Sequence, residues 1–205
     1  ATQEKTAPGS TFKMVTSTAG LAENVITTGT TINCTGVFRD VSNEPKCWIY
    51  PGSHGAETVS DAIRDSCNVF FYTTGFNLAA KDTGTYDDAN GIAYIQKYAS
   101  IYGLNQKTGI EIEENTPEIA TEFPVMAAIG QSDNNFTTVS LSRYVTAVAS
   151  GKLYNYQLMS RIVDINGNVI ESYEPEYTDI SDTLNAGQWD AIHSGMRMVV
   201  ENLDS

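Results

Sequence analysis

Fourteen residues behind a Pro-Gly turn constrain this chain more than any others: Ser10 to Glu23, STFKMVTSTAGLAE. Phe12, Val15, Thr16, Ala19 and Ala22 fall on or near one side at spacings of three and four, the pattern of an amphipathic helix starting at Gly9 or Ser10. Such a face must be buried against something. The rest of the chain is large enough to do so, since 205 residues with 41% apolar and 18% charged side chains can build one sizeable core.

Further helices are expected at 56–65 and 67–75, with a kink at Asp65 to Ser66, then at 88–102 before a Gly103 stop, at 138–150 and at 184–203. A short apolar stretch lies at 118–128. Residues 25–52, rich in Thr, Gly, Asn and Pro, read as short strands and loops, and 158–170 reads as a hairpin turning at 165–168. The fold class expected is therefore mainly α with short strands, in one unit over 1–205. The formal charge of −13, with no cluster of Lys or Arg, argues against a nucleic-acid partner. No run of 18 apolar residues or basic-apolar leader occurs, so the chain is expected to be soluble, without a membrane segment.

Chemistry enters with Ser10 and Lys13. One helical turn apart, the hydroxyl and the ammonium can share a face. A serine becomes a nucleophile when a base takes its proton, and a lysine serves as that base when burial or nearby positive potential lowers its pKa. The plainer reading is a capping serine beside a solvated lysine. A second cluster follows at Ser66-Cys67-Asn68, where a turn can aim a hydroxyl and an amide into one cleft; the plainer reading there is a helix N-cap at Ser66. Ser-x-x-Lys followed by Ser-x-Asn is more specific than either alone, and with Lys-Thr-Gly forms the signature of penicillin-recognising serine enzymes.

The three cysteines, Cys34, Cys47 and Cys67, share one window with His54, one of two histidines. Three thiolates and an imidazole make a tetrahedral zinc set, although the spacings are wider than those of a finger. Buried apolar cysteines, or a Cys34–Cys47 disulfide with Cys67 free, are the alternatives. His193 reads as a packing or surface residue.

The phrases APGSTFKMVTSTAGL, PGSHGAETVSDAIRDSCNVFFY, YGLNQKTGIEIEE and AAIGQSDNNFTTVSLSRYVTAVASGK recur in register over most of 7–152. Through them the chain resembles the transpeptidase domain of the class B, monofunctional penicillin-binding proteins. The resemblance implies the helical part of the penicillin-binding protein and serine β-lactamase-like α/β fold, with much of the central antiparallel sheet missing at both flanks. It also implies Ser10 as nucleophile, Lys13 as general base, and Ser66 with Asn68 as the second motif. The implied parent is a serine D,D-transpeptidase on the extracytoplasmic face of a bacterial membrane. It would cross-link peptidoglycan stem peptides, be acylated by β-lactams, and meet elongation or division proteins through regions outside this chain.

The resemblance further favours one structural zinc on Cys34, Cys47, His54 and Cys67, because some class B relatives draw zinc ligands from this region. Lys107-Thr108-Gly109 spells the third motif, but relatives carry a similar phrase outside the cleft at this place, so it reads as a decoy. The functional copy is expected beyond 203, which would leave this stretch inactive or weakly reactive. A β-lactam sensor or β-lactamase-like protein, or a non-catalytic zinc-stabilised fragment, are the rival readings.

Overall fold

The computed structural model describes residues 1–203. Its elements run β1 (Lys5–Thr6), a 3-10 turn (Gly9–Phe12), α1 (Lys13–Ala22), β2 (Ile32–Cys34), β3 (Gly55–Glu57), α2 (Val59–Arg64), α3 (Asn68–Ala80) and α4 (Asp88–Ile101). They continue with α5 (Pro124–Ala127), β4 (Phe136–Thr137), α6 (Thr138–Ser150), β5 (Lys152–Tyr154), β6 (Arg161–Val163), β7 (Val169–Ser172), β8 (Tyr177–Asp179), a second 3-10 turn (Ser181–Thr183) and α7 (Ala186–Leu203). The strands form small antiparallel pairs: β1 with β4, β2 with β3, β5 with β8 and β6 with β7. The mainly helical expectation holds, with a reduced sheet.

The expected amphipathic helix is α1, and the structure corrects its character. Ser17, Thr18, Gly20 and Leu21 are buried as well as Val15, Thr16 and Ala19, so α1 is enclosed on all sides. Small side chains permit this, since α3 and α4 can come close, and the hydroxyls find internal acceptors. Thr16 Oγ1 donates to the Ala128 carbonyl at 2.7 Å, and Thr18 Oγ1 lies 2.6 Å from Tyr102 Oη. At the end of α1, Glu23 binds Lys81 of the α3 C-terminus at 2.8 Å and Lys97 of α4 at 2.6 Å, and accepts a bond from Tyr98. Desolvation opposes ionisation there, but these partners hold the Glu23 carboxyl down at about 2.

Two helix boundaries differ from the sequence expectation for local reasons. Residues 56–57 lie in β3, and α2 starts only at Val59, because Thr58 and Asp61 form a reciprocal capping box. The helix expected at 67–75 continues to Ala80, since Gly75 sits against α5, where a Cβ would crowd Ala128. The 138–150 helix has the expected bounds, capped by Thr137, whose side chain accepts from Ser140 N–H, and stopped by Gly151 at φ +69°.

The fold aims the first turn of α1 through a backbone contact. Gly9 N–H donates to the Gly130 carbonyl at 3.1 Å, and a Cβ on Gly130, itself at φ +71°, would be driven into the Gly9 carbonyl oxygen. Tyr144 of α6 donates to the Thr11 carbonyl at 2.7 Å, and Phe12 stacks on Phe136 of β4. The Ser10 turn is thus held from beneath by three elements.

Candidate active site and metal centre

Ser10 stands in the 3-10 turn and Lys13 in the first turn of α1, both lining a cavity of about 310 Å³ with Ser66, Arg64 and the α7 residues Met196, Val199 and Val200. The capping and solvated readings both fail. No side-chain cap bond forms at this helix start, and Lys13 is only 2% exposed. Its ammonium donates to Ser66 O at 2.8 Å, Ser66 Oγ at 2.9 Å and Asn68 Oδ1 at 2.7 Å. Desolvation lowers the Lys13 pKa to about 8, against a smaller opposing pull from Cys47 and Cys67.

The link between Ser10 and Lys13 differs from the direct approach that their spacing predicts. Ser66 Oγ lies 2.9 Å from Ser10 Oγ and bridges the two, giving a line Ser10–Ser66–Lys13–Asn68. Ser66 can do this because its backbone sits in the left-handed region at φ +50°, which bends the chain sharply between α2 and α3. It is not the N-cap of α3; Cys67 is, and its side chain makes no cap bond.

The cysteine cluster lies directly behind this bend. Cys34 at the end of β2, Cys47, Cys67 and His54 bring their ligand atoms within 4.8 Å of one another, and the three thiols are free and buried. The separation of Cys47 Sγ from His54 Nδ1 is 3.6 Å. A tetrahedral zinc with Zn–S about 2.3 Å and Zn–N about 2.0 Å has an S–N edge of about 3.5 Å, so the donor set fits that ion in chemistry and scale. His54 Nε2 is buried without a hydrogen-bond partner. Trp48 covers the cluster, its ring 5.4 Å from that of His54 and its Nε1 donating to Asp65 O.

Two covalent and hydrogen-bonded links join cluster and cleft. Cys67 is the residue between Ser66 and Asn68, and Asn68 N–H donates to Cys47 Sγ at 3.3 Å. A hydrogen bond from Cys67, with backbone N–H groups from Ile49, Asn68 and Val69, holds the Cys47 thiol down against its desolvation, while the same pairing and burial push Cys67 up.

Lys107-Thr108-Gly109 lies among different partners. Thr108 gives its N–H and Oγ1 to the Glu114 carboxylate at 2.8 and 2.9 Å, and Lys107 O accepts from Arg143. None of its hydrogen bonds reaches Ser10, Lys13, Ser66 or Asn68. The sequence reading missed the α7 wall of the cleft, although Met196, Val199 and Val200 stand at helical spacings of three and four. His193 is a packing residue as expected, its Nε2 2.8 Å from Val148 O and its ring stacked on Trp189.

Residues 1–203 match the model of the penicillin binding protein transpeptidase domain. The chain belongs to that family. Among relatives of this transpeptidase domain, the peptidoglycan D,D-transpeptidase MrdA of Haemophilus influenzae is 30% identical over 98% of this chain and 31% of its own length. Penicillin-binding protein H of Bacillus subtilis is 26% identical over 69% of this chain and 22% of its own. The domain therefore spans at most about a third of the length of these relatives. Among solved structures, a chain from a peptidoglycan synthase complex that coordinates polymerization and crosslinking superposes with TM-score 0.80 at 25% identity, over 97% of this chain and 33% of that one. Penicillin-binding protein 2B of Streptococcus pneumoniae gives TM-score 0.80 at 22% identity, over 98% and 35%. Among the described residues no helix is long and apolar enough to cross a membrane.

Proposed function

We propose that this transpeptidase domain carries the acyl-transfer centre of a serine D,D-transpeptidase that cross-links peptidoglycan stem peptides at the outer face of a bacterial membrane. The observation that carries the reading is the line Ser10–Ser66–Lys13–Asn68, with a buried lysine whose pKa is about 8. Neutral Lys13 takes the Ser66 hydroxyl proton while Ser66 takes that of Ser10. Ser10 Oγ attacks the carbonyl of the penultimate D-Ala, and collapse expels the terminal D-Ala, whose amine receives the proton back through Ser66. An amine from a neighbouring strand then attacks the ester, restoring Ser10. Asn68 fixes Lys13 through Oδ1 and offers its Nδ2 to the substrate amide. A β-lactam enters by the same attack and stays as the ester.

Cys34, Cys47, His54 and Cys67 would hold one zinc, which when bound supplies a structural cross-link without an open position. With it, the 34–54 loop is tied to the start of α3, and Ser66 and Asn68 keep their aim. The proposal includes weak reactivity for this stretch alone, since Lys107-Thr108-Gly109 is engaged elsewhere and a missing oxyanion donor costs roughly 3 kcal/mol. Cell-wall elongation or division proteins are proposed partners of the whole protein; the fold is shared with a Helicobacter pylori penicillin-binding protein solved in complex with MreC, at TM-score 0.75. The test is labelling with a fluorescent penicillin: slow, Ser10-dependent labelling is expected, and equal labelling of Ser10→Ala would reject the assignment.

A further inference from the structure

A cavity of about 620 Å³ lies apart from the one at Ser10. It opens where the 40–43 loop, α3, the start of α4 and the approach to α5 meet, and its volume lies in the range of ligand sites. Phe76 and Tyr86 form one wall, stacked with ring centroids 4.9 Å apart. Phe123 and Met126 form another, and the carboxylates of Asp40 and Asp88 stand among them. No lysine or arginine lines the cavity.

Phe123 is unusual on two independent counts. It holds φ at +54°, where a bulky side chain is a conformational outlier, and the residue is 55% exposed instead of packed in the core. Pro124 follows it, and the Phe123 carbonyl accepts from Met126 and Ala127 N–H, so the start of α5 fixes the residue at the cavity mouth. Tyr86 donates to Asp88 Oδ1 at 2.7 Å, which orients that carboxylate and leaves Oδ2 without a hydrogen bond among the described residues. Asp40 has no ion-pair or hydrogen-bond partner among the described residues.

Aromatic faces attract cations through their quadrupoles, and carboxylates add charge complementarity; combined with apolar walls they select a charged head on a greasy stem. We propose that this cavity binds an ammonium or guanidinium group carried on an apolar stem, as a free amine or as a basic side chain of a polypeptide. The site shares no residue with the cleft at Ser10 and stands independently of the acyl-transfer reading.

The experiment is a titration of the ¹⁵N-labelled chain, followed by amide shifts, with three probes: 2-phenylethylammonium, its neutral isostere 2-phenylethanol, and acetyl-Phe-Arg-amide. Saturable shifts at 40–43 and 86–88 are expected with the cations, with the alcohol at least tenfold weaker. In a D40N/D88N double variant, cation binding should fall at least tenfold while the alcohol is unaffected; both carboxylates are exposed, so the rest of the spectrum should persist. Phe123→Ala should weaken cation binding several-fold. Tighter binding of the peptide would assign the head group to a polypeptide, and tighter binding of the free amine to a small molecule. Equal binding of alcohol and ammonium, unchanged binding in the double variant, or no saturable shift with either cation would overturn the proposal.

Discussion

In the proposed chemistry Lys13 is the decisive residue, because desolvation, against a smaller opposing pull from Cys47 and Cys67, brings its pKa down. With a pKa of about 8, roughly a tenth of the molecules hold neutral Lys13 at pH 7. Acylation by a β-lactam should therefore climb about tenfold per pH unit below 7 and level above 8; a flat profile from pH 6 to 9 would argue against Lys13 as base. Stability follows the same group with a definite sign. The folded chain binds this proton less readily than the unfolded chain, whose lysine titrates near 10.5, so unfolding free energy should rise between pH 8 and 10.5 in denaturant titrations. Ser66→Ala removes the bridge to Ser10 and one of the Lys13 acceptors, and should slow acylation about 100-fold in stopped-flow assays. The Ser-x-x-Lys spacing and a Ser66 hydroxyl aimed into the same cleft were legible in the sequence, but the placing of that hydroxyl between Ser10 and Lys13 was not. It depends on a left-handed serine at φ +50°, which no residue-type preference announces.

At the scale of elements, the bend between α2 and α3 and the Gly9–Gly130 contact decide whether those side chains meet. Gly130→Ala would place a methyl against the Gly9 carbonyl at a positive φ, and should destabilise the fold by about 3 kcal/mol, measured by chemical denaturation. Cys67→Ser should lower zinc content, melting temperature and acylation rate together, although it removes no group of the catalytic line. Unchanged metal content and melting temperature would contradict a link between cluster and cleft. Helices with caps written into the chain were the easiest to read: Thr137 and Gly151 mark α6 at both ends. The start of α2 was misplaced, because alternation over Gly55–Glu57 is too short to distinguish from a first helical turn until the Thr58 capping box is considered. The burial of α1 on every side was hidden by its Thr and Ser content, which polarity scales count as solvent-facing although the hydroxyls bond internally.

Over the whole molecule, the sequence revealed the family through phrases scattered from 7 to 152, while the structure brings Ser10, Lys13, Ser66 and Asn68 from two of them into one cleft. The Cys34, Cys47, His54 and Cys67 set could be listed from composition, but its closure within 4.8 Å depends on β2 pairing with β3 and on the loop between them. The α7 wall and the aromatic cavity near Phe123 arise from elements far apart in the chain, and no local pattern signals them. Native mass spectrometry before and after incubation with penicillin, with Ser10→Ala alongside, reads in one experiment whether a single chain joins a thiolate-rich metal centre to a serine acylation centre. A zinc-sized increment in both proteins and a drug adduct on the wild type alone are predicted; an adduct that survives Ser10→Ala, or a chain that carries neither increment, would contradict it.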